Sequence, residues 1–281
     1  MRIADQLKGK VYEVLKNVEA KKVGVAFSGG VDSSLLAKGC KDLGRQVTLL
    51  TVGFLSQRDI EISHEVSKAL GLNLLHDFVP LEEVEDGLKT VLATIEFDRL
   101  VRLENCVSFY YIFRLASEHG LGTVLSANGI DELFCGYHAF NKVFGNERAM
   151  RSLMTTLVET AKKDKEEMDK LSALFDVEYV CPFLSDTFID FAMGLPLELK
   201  IKGKDDDMRK HILREVALEI GVPKSAALRA KKALQYSSGV HKAILTLAKK
   251  KGFRAEKASY AEPQSAIKAY TDSLKVNLKQ A

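Results

Sequence analysis

The sequence predicts an α/β protein, a doubly wound parallel sheet followed by a mostly helical C-terminal half. Three observations point there. Short apolar runs with the character of buried strands alternate with helical segments as far as Ser126. Polar, glycine-containing turns follow the first and fourth of those runs. Beyond Tyr137 only helical periodicity remains. Strands and helices alternating at this spacing call for parallel strands covered on both faces.

Residues 5 to 20 read as an amphipathic helix, with Leu7, Val11, Val14, Leu15 and Val18 on one stripe. Val23 to Phe27 is an apolar run fit for a fully buried strand. It stops at Ser28, Gly29 and Gly30, and a helix from Asp32 to Leu43 follows, with Gly44 as its cap. Gln46 to Gly53 is the second strand, Asp59 to Leu70 the next helix and Asn73 to Val79 the third strand. Leu81 to Ile95 and Glu104 to His119 read as helices, and Thr123 to Ser126 as the fourth strand. Helical segments are expected near 146–175, 184–194, 205–220 and 239–251. The lysine-rich stretch 251–281 is weakly patterned, a helix or a loose tail.

A chain of 281 residues can bury a substantial core. Its 46% hydrophobic and 28% charged residues are those of an ordinary globular protein. No apolar run approaches the ~20 residues of a membrane helix, and the N-terminus has no apolar signal core, so a cytoplasmic protein is expected. A net charge of +3 does not by itself imply nucleic acid. Basic clusters at Lys224 to Lys232 and Lys249 to Lys257 read first as solvated faces, and they keep tRNA open as a partner. Cys40, Cys106, Cys135 and Cys181 form no Cys-x-x-Cys pair, so neither a zinc site nor a local redox motif is visible.

The richest stretch is Ser28, Gly29, Gly30, Val31, Asp32, Ser33 and Ser34. Its glycines let the backbone bend and aim amides at an anion, and the following helix adds its positive end. The three serines offer hydroxyls to phosphate oxygens. A carboxylate would repel phosphates, and Asp32 makes sense there if it holds a Mg²⁺ that bridges to them. The Walker lysine is missing, and so is the third glycine of the dinucleotide fingerprint. A second turn, Ser126 to Tyr137, follows the fourth strand and carries Gly129, Asp131 and Glu132. Asp131 is placed to meet Asp32 across the crevice. The plainer alternative is that Asp131 and Glu132 only open a helix.

The first turn resembles the pyrophosphate-releasing loop of the N-type ATP pyrophosphatases, and with the second it resembles the synthetase domain of the asparagine synthetase family. Further matches are Pro182-Phe183-Leu184 with Phe188 to Ala192, Lys210 to Glu215 against a Lys-x-x-Leu-Arg helix, and Arg229-Ala230-Lys231 with Ser237-Ser238-Gly239. Together they span about residues 20 to 245. The resemblance implies an adenine nucleotide α-hydrolase-like, Rossmann-like core at 20–140, a helical substrate side at 141–250 and a tail at 251–281, all in one synthetase-like domain. It implies ATP held by Ser28 to Ser34 and near Gly129, with adenine against the backbone of Val25, Ala26, Phe27 and Val52. Mg²⁺ is expected between Asp32 and Asp131, with Lys231, or Lys232 as the fallback, neutralising the pyrophosphate.

Three departures qualify what the resemblance implies. The family's N-terminal glutaminase is not expected on this chain, so ammonia, an amine or a separate glutaminase subunit would supply nitrogen. Asn128 stands where the family has a catalytic glutamate, and an amide cannot take a proton. Cys135 replaces a family glycine, and with Cys106 and Cys181 it lies on segments that the resemblance brings toward the adenylate. The reading is therefore an AMP- and pyrophosphate-forming carbon–nitrogen ligase acting on a small carboxylate. The alternatives are a sulfurtransferase working through Cys106, Cys135 and Cys181, with a tRNA base or a cofactor as substrate, and a non-catalytic ATP-binding subunit.

Overall fold

A computed structural model describes residues 1–55, 61–230, 238–253 and 263–280. Helix α1 (Ile3–Lys16) buries the expected stripe, Leu7, Val11, Val14 and Leu15. Strand β1 (Lys22–Ala26) leads into α2 (Val31–Asp42), then β2 (Gln46–Phe54), α3 (Glu61–Leu70) and β3 (Asn73–Val79). Helices α4 (Leu81–Thr94) and α5 (Leu100–Glu118) precede β4 (Thr123–Leu125). Two short helices, α6 (Ile130–Leu133) and α7 (Ala139–Val143), precede the long α8 (Glu147–Ala173). A fifth strand, β5 (Glu178–Val180), is followed by α9 (Asp186–Gly194), α10 (His211–Glu219) and α11 (Lys224–Ala227). The chain closes with α12 (Val240–Lys250) and α13 (Pro263–Gln280).

The strands are all parallel, in the order β3-β2-β1-β4-β5. From β1 the chain first winds outward through β2 and β3, then returns to the other side of β1 with β4. The reversal lies between β1 and β4, where a doubly wound sheet opens a crevice at its carboxyl edge.

Alternation along the strands feeds two cores. Val23, Val25, Leu49 and Leu125 pack with α1, α2, α9 and α10. Leu50, Val52, Phe54 and Val124 face the other way, against α4, α5, α8, α12 and α13. Val25 therefore sits inside a core with no exposed surface. Buried Glu104 of α5 meets His241 Nδ1 of α12 at 2.7 Å and ties those helices together.

The helix expected over 205–220 is shorter. Residues 202–210 form a loop organised by the Asp206 carboxylate, which accepts from the backbone N–H groups of Lys202, Met208 and Arg209 and bonds His211 Nε2 at 2.7 Å. Residues 263–280 of the expected tail form a docked helix that buries Ala266, Ile267, Tyr270 and Leu274. No helix among the described residues is long and apolar enough to cross a membrane.

Candidate active site

A crevice of about 460 Å³ opens at the β1/β4 reversal. Its floor is the ends of β1 and β2, through Ala26, Phe27, Leu50, Thr51 and Val52. The Thr51 hydroxyl donates to Phe27 O at 2.6 Å and fixes the chain as it leaves the sheet. Ser28, Asp32 and Ser33 form one wall; Ser126, Asn128 and Asp131 form the facing one. Ser63 of α3, Ser108 and Phe109 of α5, and Ser238 before α12 close the sides.

The first turn is shaped by its own side chains. Gly29 takes φ +67°, and a Cβ there would meet Ile62 O at 3.1 Å, so both conformation and space call for glycine. Gly30 is the N-cap of α2, which leaves the first N–H groups of that helix facing the crevice end of β1. Ser33 Oγ accepts from Ser28 N at 3.3 Å and donates to Gly30 O at 3.4 Å. The Ser34 and Ser63 hydroxyls are buried without a hydrogen-bond partner among the described residues. Buried polar groups are ordinarily satisfied, so the Ser63 hydroxyl, which lines the crevice, marks a place for a ligand's polar atom, whereas Ser34 is fully buried and is not among the crevice-lining residues.

In the second turn, Glu132 does the helix-opening work that was the plainer alternative for the acidic pair. Its carboxylate accepts from Gly129 N at 3.0 Å and from the Tyr137 hydroxyl at 2.6 Å. That leaves Asp131 for the crevice. Gly129 itself, at φ +103°, packs against Phe183 O and is not among the crevice-lining residues.

Asp32 and Asp131 converge, and they converge on Lys210. The buried ammonium of Lys210 lies 2.6 Å from Asp32 Oδ2 and 2.5 Å from Asp131 Oδ1. The sequence motif marks Lys210 but not where its side chain goes, because the contact joins residues 178 positions apart. Gly136 makes room for the cluster: a Cβ there would lie 2.0 Å from Asp131 Oδ1 and 2.5 Å from Lys210 Cε. Arg229 reaches the crevice and donates to Ser28 O at 3.5 Å. Lys231 and Lys232 lie outside the described residues.

The carboxylates fit a divalent cation. Asp32 Oδ1 is buried and has no hydrogen-bond partner among the described residues. No group of three or more His, Cys, Asp or Glu able to hold a metal occurs among those residues. Two carboxylates suit a Mg²⁺ that completes its shell from phosphate oxygens and water, not a centre built from protein alone.

Asn128 lines the crevice with its amide in a defined orientation. Its Nδ2 donates to the buried Tyr179 hydroxyl at 3.0 Å, and that hydroxyl also bonds Ser126 Oγ at 2.7 Å. The carbonyl oxygen Oδ1 is thus the end left to accept from a ligand.

The cysteines do not gather. Cys135 belongs to a cluster with Phe140, Met150, Met154 and Ile201, away from the one containing Cys106 and Cys181. Burial pushes the thiols up to about 12 for Cys106 and about 11 for Cys135 and Cys181. None of the three is among the described residues lining the crevice, although Cys181 Sγ lies 3.4 Å from Ser126 Oγ.

The asparagine synthase family profile matches residues 3–154 and 143–277. A Methanocaldococcus jannaschii protein assigned as glutamine-hydrolyzing asparagine synthetase 1 is 32% identical over 273 residues, 85% of this chain and 50% of that protein. Escherichia coli asparagine synthetase B, glutamine-hydrolyzing, is 30% identical over 231 residues, 77% of this chain and 41% of that protein. The chain thus spans half or less of the length of these two relatives. A solved structure of a predicted tRNA methyltransferase subunit from M. jannaschii aligns at TM-score 0.36 and 17% identity, over 75% of this chain and 94% of that one, too distantly to bear on function. With the profile matching nearly the whole chain and the archaeal relative covering most of it, this protein belongs to the asparagine synthase family.

Proposed function

We propose that the crevice binds ATP and that the protein is an AMP- and pyrophosphate-forming ligase, which adenylates a carboxylate and passes the acyl group to ammonia or an amine. The observation that carries this reading is the meeting of Asp32 and Asp131 on the Lys210 ammonium beside the α2 N-terminus. One anion-attracting turn, two carboxylates and one buried cation make up the set that a magnesium–triphosphate complex requires.

The chemistry follows from those parts. The α2 N–H groups and the Ser28 and Ser33 hydroxyls, which line the crevice, would receive phosphate oxygens. Asp32 and Asp131 would hold Mg²⁺, which when bound neutralises charge on the leaving phosphates. In the first step a substrate carboxylate oxygen attacks the α-phosphorus, the α–β bridging bond breaks and pyrophosphate departs. Lys210 and Arg229, fixed beforehand, lower the cost of that developing charge without reorganising. In the second step an amine nitrogen attacks the acyl carbon, the bond to AMP breaks, and the proton released from nitrogen passes to the departing phosphate or to water. Asn128 can orient an attacking N–H through Oδ1, but being an amide it does not take the proton. Family membership supports the same reaction class, and the buried, high-pKa thiols disfavour sulfur transfer.

The test is mass spectrometry of products after incubation with ATP, MgCl₂, ammonia and a metabolite extract. AMP, pyrophosphate and a new amide are expected. ATP left intact, or converted only to ADP and phosphate, overturns the reading.

A further inference from the structure

The Lys-x-x-Leu-Arg segment ends in Arg214, which the mechanism above leaves unused. Arg214 is buried, and it is not among the residues lining the crevice. Its guanidinium bonds only main-chain carbonyls among the described residues. On one side it donates to Met208 O at 2.7 Å and Arg209 O at 2.8 Å; on the other, to Ala227 O at 2.6 Å and Arg229 O at 2.9 Å. The first pair belongs to the turn that delivers Lys210. The second belongs to the segment that delivers Arg229, whose guanidinium contacts the phosphate-cradling turn at Ser28 O.

The Lys210 turn needs such a clamp. Arg209 (φ +44°) and Lys210 (φ +55°) are consecutive left-handed residues with side chains, a strained conformation that persists only when its surroundings over-determine it. Asp206 holds the N–H groups of Met208 and Arg209 at 3.1 and 3.0 Å, and Arg214 holds the matching carbonyls. The Arg214 N–H also bonds Lys210 O at 2.9 Å, because the two stand four apart at the start of α10. Only a planar fork with five donors reaches two segments at once; an ammonium is a point donor and cannot span them.

We infer that Arg214 is a positioning residue for the phosphate site, fastening the Lys210 turn to the Arg229 segment so that the two cations face the triphosphate as one unit. The inference rests on the proposed reading of the crevice as an ATP site. It also accounts for the arginine that follows the lysine at this spacing.

The test titrates α,β-methylene-ATP with MgCl₂ into the full chain by calorimetry, for wild type, Lys210→Met, Arg214→Ala, Arg214→Lys and the Lys210→Met/Arg214→Ala double variant. Arg214→Ala should weaken binding about 10- to 100-fold, and Arg214→Lys should weaken it about tenfold. The double variant should lose at least about tenfold less than the product of the single losses, because Arg214 acts through Lys210. Millimolar methylguanidine should restore affinity to Arg214→Ala and not to Lys210→Met, because the missing fork and not the missing ammonium is what it replaces. Where Arg214→Ala fails to fold, Arg214→Lys decides. Unchanged affinity in a folded Arg214 variant, or losses that multiply, overturns the inference. A wild type that binds no nucleotide removes the ATP reading, and the inference with it.

Discussion

Replacing Gly136 by alanine puts one methyl group where two carboxylates and a lysine meet. An ideal Cβ would lie 2.0 Å from Asp131 Oδ1, 2.5 Å from Lys210 Cε and 2.8 Å from Asp131 Cγ. Ordinary contact begins at 3.4 Å, so Asp131 Oδ1 must withdraw by 1.4 Å. Gly136 is not one of the glycines at positive φ, so the backbone accepts alanine and the whole effect is steric. A withdrawal of that size breaks the 2.5 Å contact with Lys210. Overpacking costs about 1–3 kcal/mol, and a hydrogen bond between charged groups contributes about 1.5–3 kcal/mol. The two effects share the same atoms and do not add, so a stability loss of about 2–3 kcal/mol is expected in urea unfolding. Affinity for α,β-methylene-ATP with Mg²⁺ should fall about 10- to 100-fold, since each 1.4 kcal/mol is about tenfold. A folded variant that binds nucleotide within about twofold of wild type would separate the Asp131–Lys210 contact from the nucleotide site and refute the argument.

Three further outcomes are expected. Burial by itself would raise the Asp206 carboxyl, but the Arg209 and Lys202 N–H groups and the His211 ring outweigh it and hold it down at about 2, below its ordinary 3.8. A depressed carboxyl adds stability above its unfolded value and loses it as pH falls from about 4 to about 2. Asp206→Asn should therefore destabilise by about 2 kcal/mol at pH 7, with a gap from wild type that narrows as pH falls from about 4 to about 2; a constant gap in urea unfolding contradicts this. Joint replacement of Cys106, Cys135 and Cys181 by alanine should leave AMP formation within about twofold, since thiols held near 11 to 12 are poor nucleophiles; loss of product would favour sulfur transfer. Tyr179→Phe removes the hydroxyl that joins Ser126 and Asn128, and should cost about 1–3 kcal/mol in urea unfolding. An unchanged midpoint would show that this hydroxyl does not hold Asn128.

The sequence announced four of the five strands among the described residues because each is an apolar run closed by a turn. It announced the carboxyl-edge crevice because both polar turns follow strands that end there. Strand β5 escaped because Glu178–Val180, three residues long like β4, lacks the glycines that mark the start of β4 at Gly120 and Gly122. Helix α5 begins at Leu100 and not at Glu104, because Val101 and Arg102 continue its turns without an apolar stripe to mark them. The Arg209–Lys210 turn escaped for a different reason. Side chains at left-handed φ are set by tertiary contacts, here Asp206 and Arg214, and local propensity there suggests helix. The Asp32–Asp131 meeting was legible from topology, since both follow strands adjacent at the reversal. The lysine between them was not, because its partner carboxylates come from two other turns, far away in sequence. In α13, lysines between buried positions diluted a stripe that burial of Ile267, Tyr270 and Leu274 makes plain.

The most direct measurement is a crystal structure of the protein with α,β-methylene-ATP and Mn²⁺, the metal located by its anomalous signal. Triphosphate oxygens are expected on the α2 N–H groups and the Ser28 to Ser34 turn, with the metal bound by Asp32 and Asp131. Nucleotide bound elsewhere, or a metal that touches neither carboxylate, would contradict that expectation.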